Sequence, residues 1–184
     1  ADAGVRVPVP YGCFDGILLM ELILDAEGDV APRLNDIQLT AEQARRDHKT
    51  MMQDILRMLS VGLVHGDLSE FNVLQDPQGP VIIDLPQAVD AAANNNAQWM
   101  LERDVNNITQ YYAQFAPELA ATKYAKEIWA LFEAGNLNPN TELTGEFAEA
   151  EQAADVGAVL DEINAAFAEM QERKERQQAA NEPD

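Results

Sequence analysis

One polar stretch constrains the fold of this chain more than any other feature of its sequence. Residues 65–72 read His-Gly-Asp-Leu-Ser-Glu-Phe-Asn, and Asp84 follows twelve positions after Asn72. Between them, the short runs 73–75 and 81–83 flank an Asp-Pro-Gln-Gly sequence, which is typical of a turn between two strands. In the predicted antiparallel hairpin, Asn72 just before the first strand lies roughly opposite Asp84 just after the second.

This hairpin would bring an amide and a carboxylate together. Both present hard oxygen atoms, which suit Mg²⁺, and two protein ligands leave coordination positions for water and phosphate oxygens. Asp67 lies five residues before Asn72, where its carboxylate could accept the proton of an attacking hydroxyl during in-line phosphoryl transfer. The alternative is that these side chains only cap turns, as Asx residues commonly do at strand ends. The combined spacing favours a phosphoryl-transfer site.

The first part of the chain predicts another hairpin. The Asp15-Gly16 pair is a strong type I′ turn signal, with alternating valines before it at positions 5, 7 and 9 and a nearly continuous apolar run after it at residues 17–23. A run without polar alternation is typical of a strand that is buried on both faces. We therefore expect the second strand of this hairpin to be fully buried.

The remainder of the chain predicts helices. Thr40 with Gln43 forms a capping box at the start of a helix that Gly62 ends. Two further amphipathic helices carry apolar residues at steps of three and four, and Gly135 closes the second. Their periodic residues are Leu101, Val105, Ile108, Tyr112 and Phe115, then Ile128, Leu131 and Phe132. A last periodic stretch over residues 156–170 predicts a third long helix before a polar tail.

Several single side chains are expected to have structural roles. Trp99, Trp129 and the methionines at helical spacing are predicted to lie in the core. Phe71 is predicted to pack into the core and fix the loop, whereas His48 is predicted to be exposed. Cys13 is the single cysteine, so it can form no internal disulfide, and we interpret it as a small strand residue rather than a reactive thiol.

Composition argues against several functions. The chain has 32 acidic and 12 basic residues, a formal net charge of −20. Phosphate contacts need Lys and Arg in number, so direct binding of nucleic acid or of an anionic membrane is not expected. No apolar run approaches the roughly 18 residues that span a bilayer, and residues 1–10 show neither part of a secretion signal. We therefore expect a cytoplasmic protein.

Two segments carry a family resemblance. Residues 65–72 and residues 83–87, Ile-Asp-Leu-Pro-Gln, resemble the signature loops of the RIO family of atypical serine/threonine kinases. The resemblance covers roughly residues 5–112 and implies an α+β fold, a protein-kinase-like C-lobe that is mainly helical with short β-hairpins. Weaker matches are residues 20–23 to the family's hinge, residues 31–34 to the loop after it, and residues 103–108 to the helix after the metal loop.

The resemblance implies a division of the chain into three segments. Residues 1–24 would hold residual N-lobe strands and the hinge, residues 25–170 the C-lobe, and residues 171–184 the polar tail. No glycine-rich phosphate loop and no strand lysine with a helix glutamate partner appear among the nineteen residues before Met20. We therefore expect weak or no activity from these residues alone, either as a fragment of a longer kinase or as a shortened relative.

The resemblance also implies a site with ATP as the phosphoryl donor. The hinge would hold adenine, chiefly through backbone groups, and its residues are Met20, Glu21 and Ile23. Asn72 and Asp84 would bind Mg²⁺ or Mn²⁺, and Asp67 would be the catalytic residue that acts on a Ser or Thr of an unidentified protein substrate. RIO proteins are also described as ATPases that pass a phosphate to the metal-binding Asp, so Asp84 is also a candidate phosphoacceptor.

Three further residues have two interpretations each. Ser69 could contact the phosphate acceptor or the metal loop, or it could bond only local backbone. Asp104 could accept backbone N–H groups of the catalytic loop, or it could serve only as an acid in the first turn of its helix. His65 is expected to be a buried histidine that bonds the loop backbone, in preference to a proton-transfer group.

Two other functions fit parts of the pattern. Small-molecule kinases of the aminoglycoside or choline phosphotransferase type share His-Gly-Asp, but they usually follow Asp-Leu with His, where this chain has Ser69-Glu70. A noncatalytic kinase-like interaction module would fit the acidic helical surface and the absence of N-lobe elements. Mg²⁺ dependence of nucleotide binding separates such a module from the enzymes.

Overall fold

The computed structural model describes residues 1–148, of which Ala1–Phe147 form one compact unit. This part has an α+β fold, as expected, with three helices beside three two-stranded antiparallel sheets. The elements are β1 (Pro10–Phe14), β2 (Ile17–Met20), α1 (Ala41–Ser60), β3 (Leu63–Val64), β4 (Val73–Asp76), β5 (Gly79–Ile82), β6 (Val89–Asp90), α2 (Ala97–Ala113) and α3 (Tyr124–Glu133). The predicted helix over residues 156–170 and the tail at residues 171–184 lie outside the described residues.

The first hairpin forms at the predicted turn but without the predicted burial. Asp15 and Gly16 adopt left-handed backbone conformations, with φ of 49° and 81°, and β1 pairs antiparallel with β2 across them. Cys13 is an exposed residue of β1. Ile17 is 72% exposed and Leu18 is also exposed, so the prediction of a strand buried on both faces is wrong. A two-stranded sheet covers neither of its own faces, and burial requires a second layer that sequence periodicity does not report.

α1 begins and ends where the local signals predict. The Gln43 N–H donates to the Thr40 hydroxyl oxygen at 3.2 Å, and the Gln43 side-chain oxygen accepts the Thr40 N–H at 2.9 Å, which completes the capping box. Gly62 has φ of 79°, and its N–H donates to the Leu59 carbonyl at 2.9 Å, which ends the helix. The buried apolar face of α1 consists of Ala44, Met51, Met52, Ile55, Leu56, Met58 and Leu59.

α2 and α3 pack against α1 and against each other. The predicted periodic residues of α2 that are buried are Leu101, Val105, Ile108 and Tyr112. Phe115 lies just beyond the end of α2 and is half-buried. In α3, Ile128 is fully buried, and Gly135 follows the helix with φ of 67°, as predicted. None of the helices within residues 1–148 combines the length and the apolar character needed to cross a membrane.

His48 is buried, so its predicted exposure is wrong. It is 1% exposed, its Nε2 lies 2.9 Å from the Thr109 hydroxyl oxygen, and its ring centre lies 5.8 Å and 5.5 Å from those of Tyr112 and Tyr124. Burial lowers the pKa of His48 to about 4, so the imidazole is neutral near pH 7. The prediction failed because α1 packs against α2, α3 and β5 at once, which makes its buried arc wider than its apolar stripe.

The two tryptophans differ in burial. Trp129 is partly buried against the core. Trp99, predicted to be a core residue, is 59% exposed, and the Arg103 guanidinium lies over its ring at 4.9 Å from the centroid. The physical reason is helical geometry. Trp99 lies two positions before the buried Leu101 and therefore on the opposite side of α2.

Candidate functional site

Residues 65–72, here called the HGD loop, connect β3 to β4 and are held by α2. The Asp104 carboxylate accepts the N–H of Gly66 at 2.7 Å and the N–H of Leu68 at 3.0 Å. Asp104 is buried in the middle of α2, beyond its first turn. Burial raises the pKa of this carboxyl, and the two N–H groups act against that rise. The loop backbone is therefore bound on both sides of Asp67.

Two neighbours of Asp104 bind carbonyl groups of the same loop. The Arg103 guanidinium donates to the Gly66 carbonyl, and the Asn107 side-chain amide donates to the Leu68 carbonyl at 3.1 Å. The sequence alone does not identify these two contacts, although both residues fall within the segment whose wording resembles the family. Because N–H and carbonyl groups are both bonded, the backbone beside Asp67 is fixed while its side chain is exposed.

Gly66 occupies a position that only glycine fits. Its φ is 81°, in the left-handed region, and a Cβ there would lie 2.9 Å from the Gln87 carbonyl oxygen. Gln87 ends the short 3-10 helix Leu85–Gln87, which directly follows Asp84. The HGD loop and the turn after β5 therefore touch backbone to backbone.

The structure brings Asn72 next to Asp67. The Asn72 Nδ2 donates to the Asp67 carbonyl at 2.8 Å, and the Asn72 N–H donates to the Ser69 carbonyl at 3.0 Å. These bonds orient the side-chain amide of Asn72, whose Oδ1 has no hydrogen-bond partner within residues 1–148. Ser69 thus contributes to this turn through its backbone.

Phe71 does not fix the loop from inside the core, so that prediction is wrong. Its side chain is exposed, whereas Leu68 of the same loop is fully buried. The tight turn from Ser69 to Asn72 carries Phe71 on its outer side, and Leu68 fills the core position instead.

Asp84 lies two residues after the end of β5, and it is held in an unusual conformation. Its φ of 65° and ψ of 57° lie in the left-handed region, which is costly for a residue with a side chain and is typical of functional sites. The Ile83 N–H donates to the Asn72 carbonyl at 3.0 Å, so Asp84 lies one residue beyond the position opposite Asn72. The His65 Nε2–H donates to the Ile83 carbonyl at 3.0 Å. The HGD loop is therefore tied to the residue that precedes Asp84.

The donor groups at this end of the β4–β5 hairpin fit a hard divalent cation. Asn72 offers an amide oxygen that accepts no other bond from the described residues, and Asp84 offers an exposed carboxylate. Within residues 1–148, no group of three or more His, Cys, Asp or Glu side chains could hold a metal ion. A cation bound by Asn72 and Asp84 would have coordination positions left for phosphate and water oxygens.

A cleft of about 450 Å³ lies between the β1–β2 hairpin and the β4–β5 hairpin. Its walls are almost entirely apolar, and Asp84 is the charged side chain that lines it. The lining residues are Ala1, Val7, Pro8, Pro10, Leu18, Met20, Ile82, Ile83, Asp84, Leu85 and Pro86. Met20 and Asp84, two of the predicted site residues, therefore line one space.

The backbone just after Met20 has unused hydrogen-bonding groups. The Glu21 N–H donates to the Val9 carbonyl at 2.8 Å, and the Ile23 carbonyl accepts the Ala31 N–H at 2.9 Å. The Glu21 carbonyl and the Ile23 N–H have no backbone partner in the part of the chain that the structure describes. One acceptor and one donor thus follow the cleft-lining Met20 by one and three residues, a pair that suits a ring with an amino group next to a ring nitrogen.

Comparison with known proteins identifies one family. A family model described as RIO domain matches residues 1–126. The RIO-type serine/threonine-protein kinase Rio1 of Haloferax volcanii is 36% identical over 110 residues, which cover 60% of this chain and 37% of the relative. The RIO-type kinase Rio2 of Methanocaldococcus jannaschii is 31% identical over 113 residues, 60% of this chain and 40% of the relative. The Rio1 kinase of Thermoplasma acidophilum is 33% identical over 127 residues, 69% of this chain and 64% of the relative.

Proposed function

The chain belongs to the RIO family, and from this premise we propose that it binds Mg·ATP and transfers phosphate to a Ser or Thr hydroxyl of a protein. The observation that carries the proposal is that Met20 and Asp84 line the same apolar cleft. An apolar space with one carboxylate at its edge suits a nucleobase that is followed by metal-bound phosphates. In this proposal the described residues correspond to the hinge and the C-lobe of a kinase-like fold.

Binding of the nucleotide is divided between two parts of the cleft. Met20 would contact the adenine ring, and the Glu21 carbonyl and Ile23 N–H would bond its amino group and ring nitrogen. Asn72 and Asp84 would hold Mg²⁺ or Mn²⁺, which neutralises phosphate charge when it is bound.

Asp67 is the proposed catalytic residue. Its carboxylate would accept the proton of the attacking hydroxyl, and the bonds from Asp104 to the flanking N–H groups hold it in place before substrate arrives. Ser69 and Asp104 are proposed as supporting residues.

A second form of the reaction would use Asp84 as the phosphoacceptor. One carboxylate oxygen of Asp84 would attack the γ-phosphorus, a new O–P bond would form, and the bond to the β–γ bridging oxygen would break to release ADP. Water would then cleave the acyl phosphate, so the sum is ATP hydrolysis. The exposed carboxylate of Asp84 at the edge of the cleft supports this form.

Turnover by this chain is proposed to be slow. Arg6 is the only cationic side chain before Met20, and its guanidinium is bonded to the Asp76 carboxylate at 2.5 Å. Kinases commonly place a lysine on the phosphates, and loss of one such contact costs roughly 10²-fold in rate. The matches span 37% of the Haloferax volcanii relative and 40% of the Methanocaldococcus jannaschii relative. The activity of those longer proteins is therefore itself a proposal for this chain.

Calorimetry with and without Mg²⁺ tests the proposal. We expect the chain to bind ATP at least about 10-fold more tightly with Mg²⁺, and the Asp84→Asn variant to lose that dependence. Glu133→Gln, a change of an exposed acid at the end of α3, is the matched control and should bind like the parent chain. Absence of binding, or binding that is indifferent to Mg²⁺, would instead support a noncatalytic module.

A further inference from the structure

Residues 6–9, here called the strap, run between the two hairpins that line the cleft. At one end, the Ile82 N–H of β5 donates to the Arg6 carbonyl at 2.9 Å. At the other end, the Glu21 N–H donates to the Val9 carbonyl at 2.8 Å, and the Val9 N–H donates to the Glu21 carboxylate at 3.0 Å. The strap is thus hydrogen-bonded to β5 and to the hinge segment at the same time.

The Arg6 side chain strengthens the β5 end of the strap. Its guanidinium donates to the Asp76 carboxylate at 2.5 Å and to the Pro80 carbonyl at 3.3 Å. Asp76 also accepts the N–H groups of Gln78 at 2.7 Å and Gly79 at 3.0 Å, which closes the β4–β5 turn. The Asp76 side chain is only 12% exposed, so this ion pair is better shielded than an ordinary surface pair. Arg6 therefore binds the turn of the hairpin whose other end carries the proposed metal ligands.

Between its two ends, the strap lines the cleft through Val7 and Pro8. A segment that is bonded to both walls of a cleft limits how far the walls can separate. We infer that the strap sets the spacing between the hinge segment and the β4–β5 hairpin, with Arg6 and the Glu21 side chain as positioning residues for the nucleotide. The inference rests on the proposed function, because it explains how a nucleobase and metal-bound phosphates are held at one distance.

Loss of a bond that holds the strap should weaken the binding of a ligand that spans both walls. It should leave the affinity of ligands that touch only one wall unchanged. In Arg6→Ala, the affinity for Mg·ATP is expected to fall about 10-fold, because the two halves of the ligand lose their fixed spacing. The affinities for adenosine and for Mg·tripolyphosphate, each measured alone by calorimetry, should stay within about twofold. Arg6→Lys keeps the charge without the forked contact to Asp76 and Pro80. Its affinity for Mg·ATP should therefore lie between those of the parent chain and Arg6→Ala. A parallel loss for all three ligands would overturn the inference.

A second measurement needs no ligand. Spin labels on the native Cys13 in β1 and on a Phe71→Cys change in the HGD loop, both exposed, report by electron–electron double resonance the distance between the β1–β2 hairpin and the loop that leads directly into β4. Arg6→Ala should broaden the distance distribution at unchanged helix content. The matched control is Arg45→Ala, which removes an exposed ion pair with Glu118, and it should leave the distribution unchanged.

The spin-label result separates this inference from the proposed function. An unchanged distribution in Arg6→Ala overturns the strap, whatever the nucleotide does. A broadened distribution in a chain that binds no Mg·ATP supports the strap as a mechanical tie and overturns the proposed function.

Two variants of Glu21, at the hinge end of the strap, test the inference independently and can replace Arg6→Ala if that variant does not fold. Glu21→Gln keeps a side-chain oxygen that can accept the Val9 N–H, whereas Glu21→Ala removes it. We expect broadening and weaker Mg·ATP binding in Glu21→Ala, with Glu21→Gln close to the parent chain. Equal behaviour of the two variants would show that the Glu21 side chain has no positioning role.

Discussion

The two walls of the cleft are built in different ways. One wall is the end of the β4–β5 hairpin, and the HGD loop that leads into β4 belongs to the core: Leu68 is fully buried, and Asp104 binds backbone groups on both sides of Asp67. The other wall is the β1–β2 hairpin, whose strands form a sheet of two and whose Ile17 is 72% exposed. The residues with reactive groups are thus preorganised by packing, whereas the wall proposed for the nucleobase depends on a few hydrogen bonds.

This contrast has an energetic meaning. Opening the HGD loop would break charge-assisted hydrogen bonds and expose core side chains, so it should cost nearly as much as unfolding the unit. Opening the β1–β2 hairpin would expose little new apolar surface, because most of that surface already faces solvent.

The largest effect is expected from Asp104→Ala. The change leaves the buried N–H groups of Gly66 and Leu68 without an acceptor, and each unsatisfied group costs roughly 1–3 kcal/mol. We expect the free energy of unfolding to fall by about 4 kcal/mol, measured by urea titration. Asn106→Ala, at an exposed position of the same helix, is the control and should change it by less than about 0.5 kcal/mol. Similar losses in both variants would show that α2 does not hold the loop.

Gly66→Ala tests the backbone contact behind the loop. Gly62 provides a matched control, since its φ of 79° is close to the 81° of Gly66 but no atom lies within 4 Å of its Cβ position. Gly62→Ala should cost about 1 kcal/mol from the left-handed conformation alone. Gly66→Ala adds a clash with the Gln87 carbonyl and should cost about 3 kcal/mol in the same urea titration. Equal losses in the free energy of unfolding would mean that the turn after β5 moves to accommodate the new Cβ at no energetic cost.

His48 should make the helical part of the unit sensitive to acid. Its pKa is about 4 in the folded chain and 6.5 when unperturbed, so the unfolded chain binds the proton first as the pH falls. This contribution to stability is present above pH 6.5 and is lost toward pH 4. Between pH 7 and pH 5, the loss of this contribution should lower the free energy of unfolding by about 2 kcal/mol.

His48→Gln isolates that effect. Burial raises the pKa of Asp47, Asp54 and Asp104, and these groups stabilise the folded chain as the pH falls. The change of the free energy of unfolding with pH in the parent chain therefore combines both effects. The difference between the parent chain and His48→Gln in urea titrations at the two pH values removes the carboxyl contribution. A difference that does not change with pH would mean that His48 takes up a proton in the folded chain as readily as in the unfolded chain.

Local signals in the sequence predicted the elements whose causes are local. The Thr40 capping box, the Asp15-Gly16 turn and the β4–β5 hairpin each depend on a few adjacent residues, and each forms as predicted. A single loop also determines the bond from the Asn72 side chain to the Asp67 carbonyl, whereas the predicted position of Asn72 opposite Asp84 is off by one residue, since Asn72 pairs with Ile83.

Features that depend on distant elements escaped prediction. The exposure of residues 17–20 depends on whether a second layer covers them, and the burial of His48 depends on how many elements pack around α1. The bonds from Arg103 and Asn107 to the HGD loop span 37 and 39 positions, and they require the orientation of α2 as well as its existence. The left-handed backbone of Asp84 could not be predicted from its residue type, because Asp is enriched in that region but still adopts other conformations far more often.

The smallest effect on stability is expected from Leu18→Ala in β2. Leu56→Ala is its counterpart in α1, where the fully buried side chain should cost about 3 kcal/mol because a cavity is left behind. Leu18 is exposed, so its truncation should change the free energy of unfolding by less than about 0.5 kcal/mol, although it lines the cleft and should weaken Mg·ATP binding a few-fold. If Leu18→Ala instead costs as much as Leu56→Ala, then the β1–β2 hairpin is covered in solution, and the two walls are not as different as their contacts indicate.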